Sequence, residues 1–212
     1  MKLISLNVGK PQAFIYNGKE VYTSIFKYPV EGEKKVSTTN IEGDEQSDLA
    51  VHGGALKAVY SYDISYYHHW KNILQRDNWD YGLFGENLTT EGLSDDNILI
   101  GNIYQLGSVY LKAIQPRFPC YKINIRFNSE NMVQQFTNEA KNGTYFSVVQ
   151  EGTLQAGNTI ELVETSTHKI TIQQLVNAYY NKGADKEILN QILGIDFLPV
   201  RLRKVFESYV SR

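Results

Sequence analysis

The sole cysteine of the chain lies in Gln115-Pro116-Arg117-Phe118-Pro119-Cys120-Tyr121-Lys122. Two prolines stiffen the approach to it, because each fixes its own φ and restricts the residue before it. Arg117 and Lys122 place positive charge on both sides, which favours a thiolate and attracts an anion. A thiolate held this way attacks an electrophile or binds a soft metal. A small buried residue beside a prolyl turn fits the same residues, and spacing leaves both readings open. A second group is Val51-His52-Gly53-Gly54 followed by Lys57. Paired glycines let the backbone approach an anion or adopt positive φ, Lys57 can neutralise a phosphate, and His52 can donate a hydrogen bond or exchange a proton. A Gly-rich turn with a surface lysine is the alternative; the P-loop spacing is absent. The third group runs from Gly82 to Gly92, where Glu86 and Asn87 can orient a polar ligand and Thr89 and Thr90 offer hydroxyls, or where Asn87 simply caps a loop. His68 and His69 are helical neighbours that point apart and make a poor metal pair.

These groups need a scaffold. From Met1 to about Glu164 the pattern is mainly β, with short apolar runs broken by Gly turns, and Asn17-Gly18 marks a tight hairpin. Gly101-Asn102 and Gly157-Asn158 each precede a similar apolar stretch and read as turns feeding strands. This punctuation favours a closed or curled β barrel over a parallel α/β sheet. The polar stretch Glu31 to Asp48 reads as an exposed loop or edge hairpin. Two helices interrupt the strands. One begins at an Asp63 cap and carries Ile64, Tyr67, Trp70 and Leu74 on one face; the other runs from about Asn128 to Ala140. After Glu164 the composition changes. Thr171 and Gln174 have capping-box spacing, Asp185 can cap a second helix and Pro199 can start a third. Short helices of this kind bury a face only against each other or against the sheet.

Composition narrows the function classes. The chain has 212 residues and a single Cys, which excludes an internal disulfide framework and a multi-cysteine zinc site. With 21 Lys and Arg against 23 Asp and Glu there is no basic excess to hold a nucleic-acid backbone, so no nucleic-acid partner is expected despite the basic cluster Arg201, Arg203, Lys204 and Arg212. No apolar run is long enough to span a membrane, and the opening residues read as a first strand rather than a secretory segment. The expected location is the cytoplasm.

The fragments VHGG, KAVYSY, LFGENLTTEGL and QPRFPC, in that order and followed by INIRF and GNTIELVE, resemble MOSC-domain proteins of the YiiM-like group. The resemblance covers most of Met1 to Glu164, and the helices beyond it look like the three-helix extension of that group. It implies a MOSC-type β-barrel domain with peripheral helices over 1–164 and a small three-helix unit over 169–212. It also implies a molybdenum cofactor, a molybdenum atom held by a pterin dithiolene, with Cys120 as the protein ligand to the metal. Arg117 and Lys122 would then contact the pterin or its anion; His52, Gly53, Gly54 and Lys57 would form another wall; and Asn87 or His52 would guide the substrate or a proton. The implied activity is reduction of a small N-hydroxylated compound to an amine. No haem, flavin or Fe–S motif is present, so an external electron-transfer protein is implied as donor. The C-terminal helices are open to three roles: docking that donor, shielding a sheet edge, or forming a homo-oligomer contact. The alternative function is non-catalytic cofactor binding, or sulfur carriage on Cys120.

Overall fold

A computed structural model describes residues 1–47 and 53–210. The strands are β1 (Lys2–Val8), β2 (Gln12–Tyr16), β3 (Lys19–Thr23), β4 (Tyr28–Pro29), β5 (Lys34–Val36), β6 (Val59–Asp63), β7 (Leu88–Glu91), β8 (Ile103–Leu106), β9 (Val109–Pro116), β10 (Thr144–Gln150), β11 (Gly152–Leu154) and β12 (Ile160–Glu164). The helices are α1 (Ile64–Ile73), α2 (Lys122–Phe127), α3 (Met132–Glu139), α4 (Ile172–Tyr180), α5 (Lys186–Leu193) and α6 (Val200–Val210). Eight strands form one mixed sheet in the order β12-β8-β9-β10-β6-β7-β1-β4, and β2–β3 and β5–β11 form two small antiparallel pairs.

The expected barrel does not form. This is a mixed α/β fold, and its main sheet is neither closed nor strongly curled: β12 and β4 stand at opposite ends of the order. The start of β1 meets the residues before β12 through an isolated bridge, Lys2 to Thr159, without a ladder. Two features explain the open ends. Closure buries alternate residues along each strand, yet in β12 only Ile160 is buried and the next four residues are exposed. At the other end β4 is two residues long and contains Pro29, which has no N–H to donate to a further strand. The sheet is also not purely antiparallel. β6 and β7 run parallel, with the expected Asp63-capped helix α1 in the connection between them, so a βαβ-like unit sits within the mainly β stretch.

Local signals do locate many elements. Asn17 and Gly18 both have positive φ in the β2–β3 turn, as a two-residue hairpin loop requires. Asp63 caps α1 by accepting from Ser65 N, and Thr171 with Gln174 forms the full capping box of α4. The strands fed by Gly101-Asn102 and Gly157-Asn158, β8 and β12, pair with each other. Among the described residues no helix is long and apolar enough to cross a membrane.

All five residues of β6 are buried because both faces of that strand are covered. On one side, Val59 joins an apolar core that runs from the sheet to Leu175, Leu189, Leu202 and Phe206 of the C-terminal helices. On the other, Tyr60 and Tyr62 join an aromatic cluster with Trp70, Phe84 and Phe136. The C-terminal helices are tied to the sheet side by main-chain bonds as well, Ile100 N to Ile170 O and Ile172 N to Ile98 O, both 2.9 Å.

Asp95 joins this framework to the cysteine segment. It is buried and accepts hydrogen bonds from the main-chain N–H groups of Asn142 (3.2 Å) and Gly143 (2.9 Å) and from the Thr144 hydroxyl (3.1 Å). The turn it fixes holds Arg117 in turn: Arg117 N donates to Gly143 O at 3.1 Å, and Asn142 Nδ2 donates to Arg117 O at 2.8 Å. Gly143 cannot be replaced without disturbance, since its φ is +70° and a Cβ there would lie 2.5 Å from Ser61 O. Burial raises the Asp95 carboxyl from 3.8 to about 6 despite its three donors. A raised folded-state value means the folded chain binds more protons than the unfolded chain between about pH 4 and 6. The Asp95 contribution to stability is therefore full below that window and is lost as pH rises through it. Urea unfolding of the parent and of Asp95→Asn across pH 4–7 is expected to show the parent losing on the order of 2–3 kcal/mol relative to the variant. Parallel curves would mean that Asp95 titrates at its ordinary value.

Candidate functional site

Cys120 is half-buried in the short connection between β9 and α2, and its carbonyl accepts from Ile123 N at 3.0 Å to open the helix. It lines a small cleft with Arg117, Lys122, Lys57, Asn87, Tyr60 and Tyr145, about 90 Å³ in volume. Residues from three separate motifs of the sequence thus converge. Gly53 and Gly54 lie next to this cleft, on a larger adjoining chamber that shares Lys57, Cys120 and Tyr145 with it. Gly54 adopts φ 88° and opens the single 3₁₀ turn Ala55–Lys57. Positive φ is therefore its use here; its missing Cβ faces open space. His52 falls outside the described residues.

Arg117 is the electrostatic centre of the cleft. It is 7% exposed, and its Nη1 has no hydrogen-bond partner among the described residues. Its guanidinium lies 5.2 Å from the Tyr60 ring centroid and 5.6 Å from that of Phe136. Burial opposes its charge, while Tyr60, Tyr145 and Cys120 favour it, and the net shift of its pKa is upward. Burial also raises the pKa of the Tyr60 and Tyr145 phenols, so neither supplies an anion at neutral pH. Arg117 is accordingly a buried cation that hydrogen-bonds the neutral phenols of Tyr60 and Tyr145, with Nη1 left over. A buried charge in that condition is costly, and an anion that accepts from Nη1 relieves the cost. This unsatisfied donor is what makes the cleft fit an anionic cofactor.

Besides the exposed Glu45, two buried charged residues line the cleft that local reading of the sequence did not select, Lys27 and Asp44. They form a buried ion pair. Asp44 also accepts from Gly9 N at 2.8 Å and from Asn87 Nδ2 at 3.0 Å. Burial lowers the Lys27 pKa, and the Asp44 carboxylate works against that shift. The stretch Glu31 to Asp48, expected to be an exposed loop or edge hairpin, contains the short paired strand β5 and also delivers buried residues, Val36 and Ile41 to the apolar core and Asp44 to the cleft. Asn87 lines the cleft but has little hydrogen-bonding capacity to spare: its Oδ1 accepts from Tyr60 N at 3.2 Å, and its Nδ2 reaches Asn7 O at 3.3 Å as well as Asp44. Its geometry is that of a clamp on Asp44. Glu86 is turned into its own loop, where it accepts from the Tyr67 hydroxyl, Gly82 N, Phe84 N and the Thr89 hydroxyl.

Among the described residues no group of three or more His, Cys, Asp or Glu side chains could hold a metal ion. A site resting on the Cys120 thiolate alone, with the remaining ligands coming from a cofactor, does not require one.

Residues 48–161 match the MOSC domain, and the chain belongs to the MOSC-domain family. Within that family it falls in the YiiM-like group, with a helical region beyond the MOSC core. It is 32% identical over 192 residues to Protein YiiM of Escherichia coli, covering 90% of this chain and 84% of that one. It is similar to the crystal structure of YiiM from Geobacillus stearothermophilus, with TM-score 0.82 and 28% identity over 99% of this chain and 98% of that one. A protein of Gibberella moniliformis named "Reductase" is 34% identical over 91% of this chain, which corresponds to 36% of its own length.

Proposed function

We propose that the chain is a molybdenum-cofactor-dependent reductase that converts N-hydroxylated compounds to amines in the cytoplasm, with electrons from an external protein donor. The observation that carries this reading is the buried Arg117, with its unsatisfied Nη1, in the same cleft as the half-buried Cys120. Cys120 would supply the protein thiolate to the metal, a soft ligand suited to it. Arg117 and Lys122 would hold the cofactor's anionic end, and Lys57 would form the wall on the other side, with Gly53 and Gly54 shaping the turn that leads into Lys57 from the rim of the adjoining chamber. Asn87 would act through Asp44 and Lys27, keeping that pair in place. In this reading residues 1–164 carry the cofactor-holding cleft and residues 169–212 form an appended helical unit. When bound, the molybdenum–pterin group supplies a two-electron centre for the reaction R–NHOH + 2e⁻ + 2H⁺ → R–NH₂ + H₂O. The name of the Gibberella relative is in keeping with a reductive role.

The test is to measure molybdenum and extractable pterin per chain in protein made by cofactor-competent cells, with Cys120→Ala made in parallel. The expected result is near one of each in the parent, and molybdenum lower by at least about tenfold in folded Cys120→Ala. Folded parent containing neither, from cells confirmed to make the cofactor, would end the molybdoenzyme reading. A persulfide on Cys120 by mass analysis in that case would mark a sulfur carrier instead.

A further inference from the structure

The larger chamber has a volume of about 490 Å³ and meets the cleft at Cys120, Lys57 and Tyr145. Its far wall is built by the C-terminal helices: Tyr179 from α4, and Arg201, Leu202 and Val205 from α6. The near wall includes Phe118, whose ring stacks on Tyr179 with centroids 3.9 Å apart and planes at 30°. The stack joins the cysteine segment directly to α4. The two spaces differ in chemistry. Arg117, Lys122 and Lys27 line only the small cleft, whereas the chamber presents Leu56, Phe118, Tyr179 and Val205, all partly exposed, with Arg201 exposed on its α6 side. A concave space of this size beside a reactive group, with an aromatic and aliphatic face and a few polar side chains (Lys57, Gln115 and Arg201) at its margins, is the ordinary form of a small-molecule site.

We propose that this chamber receives the organic body of the substrate, and that α4 and α6 decide which N-hydroxylated compounds reach Cys120. The preferred body is an apolar ring, matched to the Phe118–Tyr179 face, and Arg201 favours an anionic substituent on it. The proposal rests on the reductase reading for the reaction, but the chamber's occupancy can be measured without it. The appended helices thereby acquire a role as a specificity wall, distinct from docking an electron donor or shielding a sheet edge.

The experiment compares cofactor-loaded parent, Val205→Trp and Arg201→Glu on three probes: hydroxylamine, which has no organic body, N-phenylhydroxylamine, and 4-carboxy-N-phenylhydroxylamine. Saturation-transfer NMR of 4-aminobenzoate, which cannot be reduced at N–O, reads the chamber with no turnover. Val205→Trp is expected to keep its molybdenum and pterin and its hydroxylamine turnover, to raise KM for both ring substrates about tenfold, and to lose the aminobenzoate signal. Arg201→Glu is expected to raise KM about fivefold for the carboxylated substrate alone. Unchanged KM in Val205→Trp, or an equal loss on hydroxylamine, would overturn the proposal. Loss of molybdenum and pterin from folded Val205→Trp would overturn it too, since the chamber would then house the cofactor. If the loaded parent reduces none of the probes while the aminobenzoate signal persists and Val205→Trp abolishes it, the chamber is a ligand site and the reductase reading alone fails.

Discussion

Arg117→Met is expected to give a folded protein about as stable as the parent that has lost most of its molybdenum and pterin. The two halves of this result are separable, which is what makes it diagnostic. In the parent, the guanidinium is 7% exposed and Nη1 has no partner among the described residues. Replacing a buried cation that keeps one unsatisfied donor with an apolar side chain of similar length removes a desolvation cost of up to several kcal/mol. Against that stand the ring contacts with Tyr60 and Phe136, worth about 0.5–2 kcal/mol when desolvated, and the hydrogen bonds to the Tyr60 and Tyr145 phenols, worth about 1.5–3 kcal/mol each to a charged donor. The opposing contributions are of similar size and the net is close to neutral. The local backbone does not depend on the side chain, since Gly143 O and Asn142 Nδ2 bind the main chain of residue 117. Cofactor retention should fall by about tenfold or more, because the donor that answers the anion is gone. Arg117→Lys keeps the charge without the fork and should recover only part of the loss. Urea unfolding and metal and pterin analysis on the same preparations read both halves. A variant destabilised by more than about 2 kcal/mol that still carries its full cofactor would make Arg117 a packing residue.

The pieces of the site were visible in the sequence to the extent that they are local. Cys120, Arg117 and Lys122 lie within six residues, and Lys57 follows a glycine pair closely. The residues that close the cleft from the other side were not visible. Lys27 and Asp44 are 17 residues apart, Lys27 within the mainly apolar run Ile25 to Val30 and Asp44 in a polar stretch, and hydropathy does not match a lysine to a carboxylate at that separation. One signal was available: Ile41-Glu42-Gly43-Asp44 places an apolar residue and a turn glycine just before the acid, and Ile41 is fully buried. Glu86 shows the converse. It stands beside Asn87 in a motif that reads as ligand-binding, yet its lone pairs are consumed by its own loop.

The fold divides along the same line. Caps and turns are set by neighbours in sequence, so the β2–β3 hairpin and the α1, α4 and α5 starts could be located before any tertiary contact was known. Closure of a sheet is set by whether its last strand pairs with its first, and alternation within each strand carries no information about that. The exposed run Glu161–Glu164 and the proline in β4 were the available clues to open ends. The helix α2 was missed because KINIRF, with Ile123, Ile125 and Phe127 at every second position, matches strand alternation as well as it matches a short helix.

Asp44→Ala is expected to be the most destabilising single change around the cleft, at about 3–5 kcal/mol. Asp44 answers three donors at once: the Lys27 ammonium, Gly9 N and Asn87 Nδ2. Deleting it leaves a buried cation and two donors without their acceptor, and leaves the segment after Ile41 tied to the end of β1 by the main-chain bond from Glu45 N to Gly9 O, 2.9 Å. Lys27→Met should cost less, because the carboxylate keeps both N–H partners. The double variant Lys27→Met with Asp44→Leu should recover part of the Asp44→Ala loss, since an apolar pair replaces an orphaned charge. The effect has a pH signature of fixed sign. Burial already lowers the Lys27 pKa while Asp44 opposes the shift; without Asp44 the shift deepens. A lowered lysine pKa means the unfolded chain binds more protons than the folded chain between the shifted value and the ordinary one near 10.5. Stability of Asp44→Ala relative to the parent should therefore rise from pH 7 to about pH 9.5. Urea unfolding of parent, single and double variants at both pH values reads the cycle. A deficit that is unchanged by pH, with no recovery in the double variant, would show that Asp44 holds the loop through Gly9 and Asn87 alone and that Lys27 is solvated by water in the cleft.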